Sequence, residues 1–163
     1  MPKPLWAPWR LEYIAQADEQ ASCVFCDEAA GVLDDAVSLL VHRTDAAFAL
    51  LNKYPYTSGH LMVAPRRHVG QLSELTDEEA IEVHRLAVAA LDVLGRVYGP
   101  EGFNLGWNLG RAAGAGIADH VHLHVVPRWS GDTNFMPALA DVKVIPEHLL
   151  ETRDRLRGGW ATA

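Results

Sequence analysis

The chain has 163 residues, of which 49% are hydrophobic and 21% charged, a composition typical of a folded globular protein. Its formal net charge of −7 argues against a general nucleic-acid or anionic-membrane surface. No apolar run approaches the length of a membrane span, and the first residues lack the apolar core of a signal peptide. We therefore expect a cytoplasmic protein with one domain over residues 1–163.

The N-terminal stretch, residues 1–20, is rich in tryptophan and proline. We interpret it as an arm that packs its aromatic side chains on the domain, on a second subunit or on a ligand. Packing is favoured, because tryptophan contributes mainly buried area. Residues 131–163 are interpreted as a C-terminal extension that carries a helix.

Cys23 and Cys26 form a C-x-x-C pair, the only cysteines of the chain. This spacing brings two thiols to one turn, as zinc ligation requires. A redox pair is the first alternative, although no thioredoxin-like strand and helix surround it. Two unliganded core cysteines are the second alternative, and the pair alone does not decide between them.

Three strand-like runs follow, over residues 37–42, 46–51 and 60–64. Short polar turns separate them, which favours antiparallel pairing. A capping box, Thr76 with Glu79 three residues later, predicts a helix from about Asp77 to Tyr98. One apolar stripe on this helix faces the core: Val83, Leu86, Ala87, Ala90, Leu94 and Val97.

A fourth strand is predicted over residues 103–109, and a final helix over roughly 146–157, with Pro146 at its first turn. The small residues at 110–116 form a loop whose backbone N–H groups could approach an anion closely. A plain flexible hairpin loop is the alternative for that stretch.

The loop leads into a strand-like run, residues 119–128, in which three histidines alternate with aliphatic residues. In an extended strand His120, His122 and His124 would line one face, and the aliphatic residues would face the core. An amphipathic surface strand is the alternative. The regular spacing favours a functional site, because imidazoles serve as metal ligands, acids, bases and nucleophiles.

These residues resemble the histidine triad (HIT) superfamily. The run at 120–126 matches its His-φ-His-φ-His-φ-φ signature, where φ is an apolar residue. The stretches 50–55, 59–65 and 108–110 resemble the nucleotide-side strands and the phosphate-side loop of the family. The flanks at 5–10, 127–129, 132–135 and 143–146 resemble its bacterial diadenosine tetraphosphate phosphorylase branch.

The resemblance implies an α+β fold, a five-stranded antiparallel sheet with a long helix across it and a C-terminal helix, and a homodimer. It implies that His122 attacks the α-phosphate of a purine nucleotide or dinucleoside polyphosphate, with His124 as a second catalytic residue that contacts phosphate or the leaving group. The resemblance also implies these substrate contacts: Leu50 at the base, Asn52 at the ribose, and Asn108, Gly114, Ala115, Gly116 and Trp129.

Zinc-carrying members of the superfamily use positions that correspond here to Cys23, Cys26, His68 and His120. The resemblance therefore implies one structural zinc per chain, because four protein ligands leave no open position for water. His60 is the competing histidine of the third strand, and we rank it below His68 as a ligand.

One departure from the family concerns the loop before the triad. Many relatives place a serine there, whereas this chain has Ala115, Gly116, Ile117 and Ala118. Phosphate and water thus both stay open as the acceptor, and Arg111 or backbone N–H groups would replace the hydroxyl. A hydrolase of nucleoside phosphoramidates or adenylated compounds is the alternative function, and a non-catalytic nucleotide- or zinc-binding module is another. A redox protein is disfavoured.

Overall fold

A computed structural model describes residues 22–132 and 147–162 of the chain. Within them lies one antiparallel sheet with the strand order β1-β2-β3-β5-β4. The predicted α+β fold is therefore confirmed. The strands are β1 Leu40–Arg43, β2 Ala47–Leu51, β3 Leu61–Pro65, β4 Gly102–Trp107 and β5 Leu123–Arg128.

Three α-helices accompany the sheet in the described ranges: α1 Val24–Ala30, α2 Asp77–Tyr98 and α3 Leu149–Ala161. The bounds of α2 are those predicted, because its signals are local. Thr76 accepts a hydrogen bond from the Glu79 N–H, and the Glu79 side chain accepts one from the Thr76 N–H. Gly99, in the left-handed region, ends the helix. None of the helices within 22–132 and 147–162 combines the length and apolarity needed to cross a membrane.

Both faces of the sheet are covered, which explains why β2 is buried along its whole length. Ala47, Ala49 and Leu51 point into a core formed with α2. Phe48 and Leu50 point to the opposite face, into a smaller cluster with Phe25 of α1. A strand buried on both faces reads as a continuous apolar run, as this one does.

The connection between β2 and β3 depends on a glycine. Gly59 has a φ of 76°, and a Cβ placed there would lie 2.9 Å from Cδ2 of Leu94 in α2. A side chain would thus be both strained and crowded. The glycine lets the chain pass close to α2 just before His60 enters the sheet.

Helix α3 is anchored by a buried cation. Arg153, only 4% exposed, donates hydrogen bonds to the backbone carbonyls of Asp35 and Ser38. The Ser38 hydroxyl in turn donates to the buried carboxylate of Glu28 at 2.6 Å. Helix α3 is thereby connected to α1, on which the cysteine pair lies.

Several predicted boundaries were wrong. The first strand begins at Leu40 instead of residue 37, because the N–H groups of Val37 and Ser38 both bond the carbonyl of Asp34 in a turn. The fourth strand ends at Trp107 instead of residue 109. Helix α3 begins at Leu149, and Pro146 lies outside the described residues, as do residues 1–21 with the proposed arm.

The histidine run is not a single strand. Strand β5 begins only at Leu123, so His120 and His122 lie on the segment that leads into it. The N–H of Val121 bonds the carbonyl of Val69 at 2.7 Å. A short extended contact with the end of the β3 segment thus replaces regular pairing at this point.

Candidate active site and metal centre

Four predicted ligands meet at the N-terminal end of the histidine run. Donor atoms of Cys23, Cys26, His68 and His120 all lie within 4.8 Å of one another. The Sγ of Cys26 is 3.2 Å from Nδ1 of His68 and 3.7 Å from Nδ1 of His120. Tetrahedral zinc with bonds of about 2.0–2.3 Å needs ligand separations of roughly 3.3–3.8 Å, and the three sulfur–nitrogen separations of 3.2, 3.5 and 3.7 Å are close to this range.

The protonation of these ligands also suits a metal. His120 donates its Nε2–H to the carbonyl of Pro65 at 2.8 Å, which leaves the Nδ1 lone pair for the cysteine side. Burial is the main cause that lowers the pKa of His120 to about 4, so its ring is neutral at pH 7. Burial and the neighbouring Cys23 raise the pKa of Cys26 to about 11, and a bound cation would reverse that.

His122 presents one free nitrogen. Its Nδ1 lies 2.8 Å from the carbonyl of His120, and a carbonyl can only accept, so Nδ1 carries the proton. Nε2 then has a lone pair and no hydrogen-bond partner among the described residues. Every buried side-chain nitrogen or oxygen in these residues has a partner, so Nε2 lies at the open surface of the site. Burial lowers the pKa of His122, which keeps the ring neutral.

A second chain of hydrogen bonds fixes His124. The N–H of Tyr56 donates to Nδ1 of His60 at 3.1 Å, so the proton of His60 is on Nε2. That Nε2 lies 3.0 Å from Nδ1 of His124, which must accept. His124 therefore carries its proton on Nε2, directed at the Asn108 amide group 3.3 Å away. The Asn108 amide is assigned with its oxygen toward this N–H, since two donors cannot pair.

His60 is the functional residue that the sequence analysis did not identify. Its lower rank as a metal ligand is supported, because it is absent from the ligand cluster. It is fully buried, and its ring centroid lies 5.2 Å from that of His124. The sequence held one signal for this contact: His60 lies two residues before Met62, so both side chains are expected on the same face of the sheet, and Met62 pairs with His124.

The predicted nucleoside contacts lie beside the histidines. Leu50 belongs to the cluster around Phe25, and it neighbours Met62 across the sheet. Asn52 is half-buried at the end of β2, where its Oδ1 accepts the N–H of Tyr54 at 2.9 Å. That bond makes it a turn residue, and its amide NH₂ group is left for other partners.

The predicted phosphate loop begins with a tight turn at residues 111–113. The N–H groups of Gly114 and Ala115 donate to the carbonyls of Arg111 and Gly110, so both amides are engaged in this conformation. Gly116 follows without such a bond in the described part of the chain. Trp129 follows the last residue of β5, and its predicted contact with the substrate stays a prediction.

Comparison with known proteins agrees with this geometry. The model of the HIT domain matches residues 35–131, which is more than half of the chain. A protein of Mycobacterium tuberculosis named AP-4-A phosphorylase is 43% identical, and the match covers 96% of this chain and 84% of that protein. An adenosine 5'-monophosphoramidase of Schizosaccharomyces pombe is 32% identical over 66% of this chain and 74% of its own length.

Solved structures give the same assignment. A zinc-bound histidine triad family protein from Mycobacterium smegmatis superposes with a TM-score of 0.70 at 25% identity, covering 86% of this chain and 94% of that one. This chain belongs to the HIT (histidine triad) family.

Proposed function

We propose that this protein is a nucleotidyl transferase or hydrolase that cleaves dinucleoside polyphosphates at the α-phosphate, with diadenosine tetraphosphate as the best candidate substrate. The observation that carries the proposal is the state of His122: its proton is held on Nδ1 by the His120 carbonyl, and Nε2 offers a lone pair. The 43% identity to an AP-4-A phosphorylase supports this substrate class.

In the proposed first step, Nε2 of His122 attacks the α-phosphorus. A nitrogen–phosphorus bond forms, and the bond from that phosphorus to the bridging oxygen breaks, so the electron pair leaves with the remaining polyphosphate. The modified ring becomes positively charged, and the carbonyl that accepts Nδ1–H stabilises this charge. The Nε2–H of His124, which is directed at Asn108 in this structure, would donate to phosphoryl oxygens when the substrate is bound.

In the second step, an oxygen of the acceptor attacks the same phosphorus, and the bond to Nε2 breaks. His122 returns to its neutral state. Phosphate as the acceptor converts the bound AMP unit to ADP, whereas water yields AMP and releases a proton. Asn52 would hold the ribose hydroxyls through its amide, and Leu50 would form part of the apolar wall beside the base.

A direct assay tests this function. The purified protein is incubated with diadenosine tetraphosphate, with and without phosphate, and the products are separated. ADP that appears only with phosphate supports a phosphorylase, while AMP in both samples supports a hydrolase. Absence of turnover in both would refute the proposed class of substrate.

Phosphoramidate hydrolysis is the second candidate, favoured by the 32% identity to an adenosine 5'-monophosphoramidase. The same attack by His122 would apply, with an amine as the leaving group. A higher kcat/KM on an adenosine phosphoramidate than on the dinucleotide, unaffected by phosphate, would select this function.

We infer that the bound metal is zinc, one ion per chain, held by Cys23, Cys26, His68 and His120. Two thiolates with two imidazoles are a preferred zinc set, and four protein ligands leave no site for a reactive water. The ion would cross-link α1 to the segments that carry the histidines. If the four ligands hold one zinc ion, elemental analysis of the purified protein should give about one zinc per chain.

We also infer a homodimer through the edge strand β4. Leu105 of β4 is 47% exposed, and it lies on the face of the sheet that packs against α2, because it pairs with Val125 of the core. An edge strand that carries an exposed apolar residue favours pairing with a second copy. Light scattering should give twice the chain mass, and Leu105→Lys should lower it.

A further inference from the structure

The metal centre and the nucleophile share one aromatic side chain. Phe25 lies between Cys23 and Cys26 in the chain, and it is only 1% exposed. Its ring is stacked on that of His122, with centroids 4.6 Å apart and planes at 28°. It also lies 5.1 Å from the ring of His120. The segment that supplies two metal ligands therefore also supplies one wall against the attacking imidazole.

His120 makes a second connection. Its ring belongs to the ligand cluster, with Nδ1 at 3.5 Å from Sγ of Cys23, while its backbone carbonyl accepts the Nδ1–H of His122. Gly70 holds this segment closely, because a Cβ there would lie 3.3 Å from backbone atoms of Ala118 and Asp119. The orientation of His122 thus depends on the backbone position of a metal ligand.

From these two contacts we propose that Phe25 is a positioning residue for His122, and that metal binding orients the nucleophile through Phe25 and the His120 carbonyl. The inference rests on the proposed function in that His122 is taken as the nucleophile. The isolated α1 has seven residues, too few to hold its own conformation in water. Glu28 and Ala29 hold the C-terminal end of α1 through hydrogen bonds, whereas the ligand bonds of Cys23 and Cys26 hold the part that carries Phe25. Loss of the ligand bonds would therefore loosen Phe25 from the His122 ring.

The coupling predicts a particular pattern of effects. The sheet core against α2 contains no ligand of the cluster, so it should stay folded after metal removal. The packing on the opposite face of the sheet, where Phe25 lies, should change. A small displacement of a reacting group can cost about a hundredfold in rate, so turnover should fall much more than substrate affinity.

The first test uses wild-type protein loaded with Zn²⁺ and then treated with a chelator. Proton–nitrogen NMR follows the Nδ1–H of His122, which the hydrogen bond to His120 protects from exchange. We expect this signal to broaden or disappear while methyl signals of Leu94 and Val125 keep their positions. Retention of the His122 signal without metal, or collapse of the whole spectrum, would overturn the coupling.

The second test separates Phe25 from general packing. Phe25→Leu and Phe25→Met keep an apolar side chain but remove the stacked ring, and Phe48→Leu is the matched control. Phe48 is fully buried in the same cluster and contacts the ring of His120, but no ring contact among the described residues joins it to His122. Circular dichroism selects the variants that fold.

For a folded Phe25 variant we expect zinc affinity within about threefold of wild type, kcat lowered about tenfold or more, and KM changed less than kcat. The His122 signal should shift more in the Phe25 variants than in the control, which keeps the Phe25 ring on His122 and loses only an outer contact of Phe25 and His120. A rise in KM alone would assign Phe25 to substrate binding and refute the positioning role. The NMR readout needs no substrate, so a wild type without turnover would refute the proposed function and still leave the coupling to be decided.

Discussion

The histidines of this protein fall into two groups with opposite tasks, one on each side of His122. On the metal side, His68 and His120 direct Nδ1 toward cysteine sulfurs. On the phosphate side, His60 and His124 bond each other, and the proton on Nε2 of His124 is directed at Asn108. The residue type is the same in both groups, and the backbone partner of each ring differs. The Pro65 carbonyl accepts from Nε2 of His120 and leaves Nδ1 for a metal, whereas the Tyr56 N–H donates to Nδ1 of His60 and leaves Nε2 to donate to His124.

The largest effect is expected for substitution of His122, which lies between the two groups of histidines. His122→Ala should lower turnover of diadenosine tetraphosphate by at least about 10³-fold, because the substitution removes the attacking nitrogen. His84→Ala is the control, since His84 is exposed on α2. Steady-state kinetics with elemental analysis checks this, and a variant that retains a tenth of the activity would contradict nucleophilic attack by His122.

The metal group should affect stability first. Cys26→Ser removes one of four ligands, and we expect loss of zinc and a melting temperature lower by about 10 °C. Addition of a chelator should lower the melting temperature of the wild type by a similar amount and leave the variant unchanged. Equal melting temperatures for the zinc-loaded wild type and the variant would contradict a structural role of the cluster.

Substitution of the histidines on the phosphate side, His60 and His124, should lower the rate without changing the zinc content. His60→Asn removes the ring that donates to Nδ1 of His124, and we expect kcat lower by about 10- to 100-fold, as for other supporting residues of a site. Zinc content should stay at the wild-type level, which separates this variant from those of the metal group. A wild-type kcat would show that His124 is oriented without His60.

The smallest effect is expected for the ion pair between Arg67 and Glu79, beside the metal ligand His68, and it concerns the free energy of unfolding. Arg67, next to His68, bonds both carboxylate oxygens of Glu79, and this partner lowers the pKa of Glu79 to about 2. A depressed pKa stabilises the fold above the ordinary value near 4.5, and the stabilisation is lost as the pH falls toward 2. Glu79→Gln should cost about 1 kcal/mol at pH 7 through the lost ion pair with Arg67, because the glutamine side-chain oxygen can still accept the capping N–H of Thr76.

Denaturant unfolding at several pH values measures this difference, with Glu78→Gln, on the exposed first turn of the same helix, as the control. The difference between wild type and Glu79→Gln should shrink as the pH falls from about 4.5 toward 2. A difference that stays constant over this range would contradict a contribution from the ion pair between Arg67 and Glu79.

Much of the fold could be predicted from local signals in the sequence. The helix Asp77–Tyr98 has its cap, its apolar stripe and its terminating glycine within its own residues, so the prediction was accurate at both ends. Four ligands of one cluster followed from a resemblance, and the structure brings them together. The catalytic and substrate roles remain proposals, as does the single domain over 1–163.

Contacts between distant segments decided the rest. Helix α1 is too short for a pattern of its own, and it forms where Phe25 packs against Phe48 and His122. The late start of β5 reflects the bond from Val121 to Val69, and the role of His60 depends on a histidine 64 residues away. The sequence by itself determined which imidazoles are present and in what order. The tertiary structure decided which nitrogen of His60, His120, His122 and His124 carries the proton, because that depends on the hydrogen-bond partner that the fold places beside each ring.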